Sequence, residues 1–408
     1  MRVFDVEASL PPEWRQAWLR VRERLGPDRL DGLTRAGRRE EAALADAPEQ
    51  EQYPGGDEAG TVGPAAGGGD PSVFAPFLKE TGVTAWASYP PRVTFLECGM
   101  ALEEIAVASP SLAVRIAATW HAVQPLILDG TADLRAEFMP SLEGGSLAAF
   151  AVTEPQAGSD IAAITTSAEP SRRGWVLHGE KSAILNADRA TFFTVLARCA
   201  RQGASCTGRS GLAFFVIPAT AAGLRVGPPD RRPGLLLAPT ASLLLDRVEV
   251  PHSHLVGEEG AGYLLLMQTL DRGRAFSAGV AVGVARGALE HALAHARRRR
   301  QFGRPLSAHQ AVAFTLAEMA TAVDAARLMA LRACALVDAA QDYTLAASMA
   351  KLFATEVAEK VTAQAMNILG RFGYEAASPV AGYWRDAKAL TIMEGTSEVQ
   401  KMVIASQF

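Results

Sequence analysis

Three short segments combine residue types at spacings that suit chemistry. The first is VTEPQAGSD (152–160), in which a hydroxyl, a proline turn and then Ala-Gly-Ser follow an apolar run. Such a turn exposes backbone N–H groups and two hydroxyls, which suits a phosphate or the carbonyl edge of a flavin. Many turns that end strands read the same way. The second is RRRRQFGRPLSAHQAV, beginning at Arg297, where a cationic helix end runs into a loop and a fresh helix near His309. Helix-dipole complementarity accounts for part of that charge. Four successive arginines exceed it and point to an anionic ligand. The third is RDAKALTIMEGTSEVQ (385–400), where one acid, Glu394, stands between Ile392-Met393 and a Gly-Thr-Ser turn that starts a last helix. A carboxylate with an apolar approach can have a raised pKa and act as a base. The alternative is an acid that merely opens a helix.

Metal chemistry has no such support. Cys98, Cys199, Cys206 and Cys334 are scattered without a CxxC or a nearby His pair, so neither a zinc site nor a disulfide framework is expected. His291 and His295 are four apart on an expected helix, but no third ligand accompanies them and Arg297 to Arg300 follow at once.

The elements that must position these segments fall into three blocks. A chain of 408 residues exceeds one ordinary core, so two or three domains are expected. Hydrophobic residues at 49% and charged residues at 21% exclude wholesale disorder, and a net charge of −4 gives no reason to expect nucleic-acid binding. No apolar run is long enough to span a membrane, and the Met1 end opens with charges, so a cytoplasmic protein is expected. Residues 1–145 read as a helical domain interrupted by a Gly/Pro-rich stretch, 49–70, with the composition of a flexible loop or linker. Residues 146–257 read as short strands, including AAFAVTE, GWVLHGEKSAI, FFTVLAR, GLAFFVIPA and ASLLLDRVEV, which suggest an antiparallel barrel or sandwich. The second of these carries a turn at His178-Gly179-Glu180 and is expected to be a hairpin. Residues 258–408 return to long helical periods, at 262–298, 309–340 and 345–369 with two shorter helices after them, which imply an antiparallel bundle.

Together these segments, in this order around a β-domain, resemble the acyl-CoA dehydrogenase family from about Leu102 to Val403. GTADLRAEFMP, LLLDRVEVPHSHLVGEEGAGY and LDRGR add to the match, whereas the chain before Pro90 matches poorly. The resemblance implies an α+β fold: an N-terminal helical domain, a β-domain and a C-terminal four-helix bundle. It further implies FAD, an acyl thioester carried by coenzyme A or a carrier protein, and electron-transfer flavoprotein or oxygen as acceptor. It implies a homodimer or homotetramer in which a neighbour contributes to each flavin.

Carried over by position, the resemblance places Val152, Thr153 and Gly158 at the flavin, with Thr153 on the pyrimidine edge. Ser159 is implied near the pyrophosphate and the substrate's pantetheine. Arg299, Gln301, Phe302 and Gln310 match the stretch that reaches a neighbour's FAD, Asn367 and Gly370 the loop under its phosphates, and Thr396 and Glu398 the contacts at the last helix. Asp271 and Arg274 match positions beside the pantetheine, and Gly395 touches substrate. Glu394 matches the base that takes the α-proton while hydride passes to flavin N5. Some relatives carry that base at the position of Gly273 instead.

The departures are Ala183 and Leu185, where the family has an aromatic and a hydroxyl over the flavin; Arg371, in place of a glycine; and Ser406, in place of an arginine near the nucleotide. They keep two rivals in view. One is an FAD-dependent oxidase or monooxygenase, and the other is a flavin-free binding subunit.

Overall fold

The computed structural model describes residues 10–46, 71–89, 91–199 and 209–408, so the 49–70 stretch and Cys206 lie outside the described residues. The N-terminal part supplies α1 (Pro12–Leu25), α2 (Pro27–Asp46), α3 (Ala75–Thr81), α4 (Phe95–Ala108), α5 (Pro110–Asp129) and α6 (Ala132–Phe138). Hydroxyl caps start several of them. Thr94 accepts the Glu97 N–H at 3.1 Å while Glu97 accepts the Thr94 N–H at 2.9 Å, a reciprocal capping box for α4. Ser109 and Thr131 cap α5 and α6 in the same sense. Helix α5 is buried around nearly its whole circumference, with Ile116, Trp120, Val123 and Leu126 fully buried and Arg115, Thr119, His121 and Gln124 buried among them. It is the central helix of this part, packed against both the sheet and the C-terminal helices.

The middle of the chain forms β1 (Leu147–Ala151), β2 (Ser167–Pro170), β3 (Gly174–Leu185), β4 (Ala190–Cys199), β5 (Leu212–Pro218), β6 (Leu224–Pro229), β7 (Thr240–Pro251) and β8 (Leu255–Val256). They make one eight-stranded sheet in the order β6-β7-β3-β2-β4-β5-β8, with β1 beside β4. The sheet is mixed where the sequence suggested antiparallel strands throughout, because β4 takes both β1 and β2 as parallel neighbours.

The expected hairpin at 178–180 is absent. Residues 174–185 run as one strand, and the register against β7 slips between Leu177 and Gly179. Gly179 has φ +150°, and a Cβ there would lie 2.7 Å from the Thr166 hydroxyl, so the glycine marks a bulge and not a turn. Alternate residues of β4 and β5 face two cores. Phe192, Leu196 and Phe214 pack toward the helices, while Phe193, Val195 and Phe215 pack with Trp175 and Leu177 of β3 and Leu243 and Leu245 of β7. Trp175 reaches Phe215 edge-on at 5.5 Å although two strands separate β3 from β5. The sheet therefore curls over its own outer face.

The C-terminal part contains α7 (Gly262–Arg298), a small hairpin of β9 (Arg300–Gln301) and β10 (Arg304–Pro305), α8 (Gln310–Asp338), α9 (Thr344–Leu369), α10 (Arg371–Tyr374), α11 (Pro379–Ile392) and α12 (Ser397–Ala405). Helices α7, α8, α9 and α11 pack as a bundle, and α4 lies along α7. That approach is close because α7 presents glycines: a Cβ at Gly279 would lie 2.8 Å from the Gly99 carbonyl, and one at Gly283 would overlap the Glu103 carbonyl. Glu103 is buried at the same seam, accepting Arg327 Nη2 of α8 at 2.9 Å and lying 3.2 Å from Arg286 Nε of α7. One apolar cluster runs through both helical parts, from Trp18 and Leu102 to Phe276, Met319 and Val361.

Candidate active site

Helix α11 ends where the Met393 N–H closes onto Ala389 O at 3.0 Å, and the chain then turns through two left-handed residues, Glu394 (φ +57°) and Gly395 (φ +88°). A glutamate in this region is strained by roughly 1–2 kcal/mol, so the surroundings must impose it. They do. Gln400 Nε2 donates to the carbonyls of Glu394 at 3.1 Å and Gly395 at 3.0 Å. Lys351 Nζ, from α9, donates to Gly395 O at 2.7 Å, and Thr396 caps α12 by accepting the Val399 N–H at 3.3 Å.

The turn directs the Glu394 carboxylate into a pocket lined mainly by apolar side chains. Ala117, Ala118 and His121 of α5, Gly273 and Phe276 of α7, Leu185 of β3 and Leu390 of α11 are among its walls. Glu394 Oε2 lies 3.0 Å from His121 Nδ1. Lys351 and Arg274 are the other charged neighbours. Burial alone would raise the Glu394 pKa, as the sequence suggested, but His121 first, then Lys351 and Arg274, outweigh it and hold the carboxyl below its ordinary value. Glu394 is thus ionised when resting. The apolar approach is real, but its effect on the proton is overturned by partners 43, 120 and 273 residues away in sequence. Lys351 is itself pushed down to about 8, chiefly by burial.

Asp271 and Arg274 form an ion pair one helical turn apart on α7. Thr344 Oγ1 donates to Asp271 Oδ2 at 2.6 Å and Arg274 Nη1 to Ser348 Oγ at 3.3 Å, which ties the pair to the start of α9. The VTEPQAGSD turn follows β1. Its fixed point is Glu154, whose carboxylate accepts Lys181 Nζ at 2.7 Å and the N–H groups of Thr165 at 2.7 Å and Thr166 at 3.0 Å. Lys181 also donates to Val152 O at 3.0 Å, and the Ser182 N–H to Thr153 O at 2.9 Å. This lashes the loop to β3 three residues before Leu185. Gly158 and Ser159 remain exposed.

Other candidates lie apart from the Glu394 pocket, and none lines it. Arg299, Gln301, Phe302 and Gln310 are exposed on and after the β9–β10 hairpin. Arg299 stands 5.9 Å above the Phe372 ring, next to exposed Asn367 and Gly370. Arg371 stands over the same ring at 4.7 Å. Glu398 is exposed at the start of α12, beside the half-buried Thr396. Sequence reasoning missed His121, Lys351 and the Glu154–Lys181 pair. Gly273 was the available signal for His121, because a missing side chain beside Arg274 leaves space that another residue must fill.

An exposed hydroxyl-bearing loop lashed to a strand, with a partly buried carboxylate in an apolar pocket at that strand's end, suits a cofactor against the loop and proton abstraction in the pocket, on a helix–sheet–helix frame. The residues fit FAD: a Cβ at Gly158 or Gly370 would meet nothing within 4 Å, leaving open backbone, and Arg299 and Arg371 supply cations for a diphosphate. The acyl-CoA dehydrogenase middle domain matches residues 149–248, and the acyl-CoA dehydrogenase C-terminal domain matches 260–408. Cyclohexane-1-carbonyl-CoA dehydrogenase of Geobacter metallireducens is 39% identical over 310 residues, 75% of this chain and 80% of that one. The mitochondrial short-chain specific acyl-CoA dehydrogenase of Bos taurus is 37% identical over 313 residues, covering 76% of this chain and 75% of that one. The structure of butyryl-CoA dehydrogenase from Megasphaera elsdenii superposes with a TM-score of 0.82 at 28% identity, over 98% of both chains. This chain belongs to the acyl-CoA dehydrogenase family, whose members are FAD-dependent oxidoreductases that dehydrogenate acyl thioesters.

Proposed function

We propose that this enzyme removes hydrogen from C2 and C3 of a short or cyclic acyl thioester, with Glu394 as the base that takes the C2 proton. The observation that carries the reading is the Glu394 carboxylate, set in a pocket lined mainly by apolar side chains and 3.0 Å from His121 Nδ1. Phe276, Leu390 and Met393 line the pocket, and an acyl chain packed against them would displace water and strengthen the polar contacts made inside. The backbone N–H of Glu394 is assigned to the thioester carbonyl, where a donor makes C2–H more acidic. Bound FAD supplies the two-electron acceptor.

Val152, Thr153, Gly158, Ser159 and Leu185 are assigned to the flavin, together with Arg299, Gln301, Phe302, Gln310, Asn367, Gly370, Thr396 and Glu398. Ser159, Asp271, Arg274 and Gly395 are assigned to the thioester arm. The exposed Arg299–Gln310 segment supports an assembly in which it reaches a neighbouring copy.

The test is an anaerobic absorbance titration of the purified protein with butyryl-CoA, cyclohexanecarbonyl-CoA and the same acyl groups on a carrier protein. Bleaching of the flavin band by one of them is expected and names the acyl class and the carrier. A flavin band that none of them bleaches overturns this reading. One observation favours a second reading on the same fold: Leu185 offers no hydroxyl where it lines the pocket. Oxygen in place of electron-transfer flavoprotein would then reoxidise the enzyme, and peroxide formed at the rate of turnover in air identifies that case.

A further inference from the structure

His121 is the nearest polar neighbour of the proposed base, and its ring has little freedom. One face stacks on Phe150 with centroids 4.4 Å apart, and Phe150 in turn stacks on Phe214 at 5.6 Å. One edge abuts Gly273, where a Cβ would lie 2.7 Å from Cε1, 2.8 Å from Nε2 and 3.0 Å from Nδ1. The side chain is 3% exposed, Nδ1 lies 3.0 Å from Glu394 Oε2, and Nε2 is buried without a hydrogen-bond partner. A proton on Nε2 would be a buried donor with nothing to accept it, so the N–H that finds a partner is the one on Nδ1, facing the carboxylate. The absence of a side chain at Gly273 is what admits the ring.

We propose that His121 is a positioning residue for the dehydrogenation: its Nδ1–H binds Oε2 of Glu394, keeps the carboxylate ionised and turns Oε1 toward the C2 hydrogen. The proposal rests on the reading of Glu394 as the base. His121 does not act alone on the carboxylate. Arg274 faces it from α7, paired with Asp271, and Lys351 faces it from α9 with Glu356 and Glu398 nearby. Removing His121 therefore raises the proton affinity of Glu394 without abolishing its ionisation. Gly273 and His121 form a matched pair in which enlarging the first must displace the second.

The test reads protonation directly and needs no substrate. The FAD-loaded enzyme is acidified stepwise, and the protonated-carboxyl band of Glu394 is followed by infrared difference spectroscopy, identified as the band missing in Glu394→Gln. In His121→Ala its midpoint is expected to move up by about 1 pH unit or more relative to wild type. In His121→Asn, whose amide N–H can take the place of Nδ1–H, the midpoint is expected to return most of the way. An unchanged midpoint in a folded His121→Ala overturns the proposal and leaves the ring a packing element. Should His121→Ala not fold, His121→Leu, which keeps the bulk but has no N–H, takes its place, and an unchanged midpoint there does the same. Failure of the underlying reading shows differently: Glu394→Gln would keep turnover with thioesters, whatever the infrared titration gives.

Discussion

Glu394 is set by partners that are remote in sequence, and this decides what its substitution should do. Glu394→Gln keeps the volume and the left-handed turn, so flavin is expected to remain bound. The C2 proton then has no acceptor, and kcat/KM is expected to fall by at least about 10²–10⁴-fold, the range for loss of a positioned base. Steady-state assays and flavin content on the same preparation check both halves. The sign of the pH dependence follows from the lowered pKa. The base is active when ionised, so wild-type kcat/KM falls only as pH drops through a value below the ordinary 4.5. An acid limb above that value would mean that the His121, Lys351 and Arg274 field is not felt. At this scale the sequence was half legible. Glu394 stood out because it is a lone acid between an apolar pair and a Gly-Thr-Ser turn. Its chemistry did not, because His121 is one of seven dispersed histidines and lies 273 residues earlier. Local spacing cannot report a contact made by tertiary packing.

Between elements, two buried ion pairs do the joining and two predictions follow from them. Glu154 and Lys181 are 1% and 0% exposed and fasten the 152–160 loop to β3. Burial opposes the ionised form of Glu154, but Lys181 and the Thr165 and Thr166 donors prevail and bring its pKa to about 2. The stability it contributes is therefore complete above about 4.5 and is lost as pH falls through about 2. Glu154→Gln leaves Lys181 buried without a countercharge, which is expected to cost about 3–5 kcal/mol near neutral pH. The deficit should shrink on acidification over that window, and urea denaturation at several pH values reads it. At the α4–α7 seam, Gly283→Val would force a side chain onto the Glu103 carbonyl and disturb the Arg327 and Arg286 bonds. The expected loss is about 1–3 kcal/mol or more, seen as a lower Tm with secondary structure intact by far-ultraviolet circular dichroism. Helix periodicity made the long C-terminal helices readable to within a few residues. The strands were read less well, because Gly179 looks the same in sequence whether it makes a turn or a bulge, and only its close approach to Thr166 decides between them.

At the scale of the whole molecule, the β9–β10 hairpin makes little sense within one chain. Phe302 is 93% exposed and has φ +50°, a conformation that is costly for a bulky residue and here buries nothing in return. Arg298, Arg299 and Arg300 beside it are exposed as well. The hairpin itself is well tied, with the Leu306 N–H on Arg299 O at 2.8 Å, Arg300 Nη2 on Gly303 O at 2.7 Å and a hydrogen bond of 3.1 Å between His309 Nε2 and Gln301 O. A rigid hairpin that presents an aromatic ring to solvent among cations has the composition of an interface core, rich in aromatic residues and arginine. The order of the blocks was readable from sequence, and the arginine run and the family resemblance marked this segment, but the exposure of Phe302 was not legible because it appears only once the chain is folded. If the hairpin seats on a neighbouring copy at its flavin, Phe302→Asp should leave the subunit's own stability within about 0.5 kcal/mol, as expected for an exposed position. It should also lower the assembly mass measured by light scattering and reduce the flavin retained after gel filtration. Mass and flavin both unchanged would show that the ring serves no assembly. Loss of mass with full flavin would separate the interface from the cofactor, leaving Arg299 and Gln301 without a role at the neighbour's FAD.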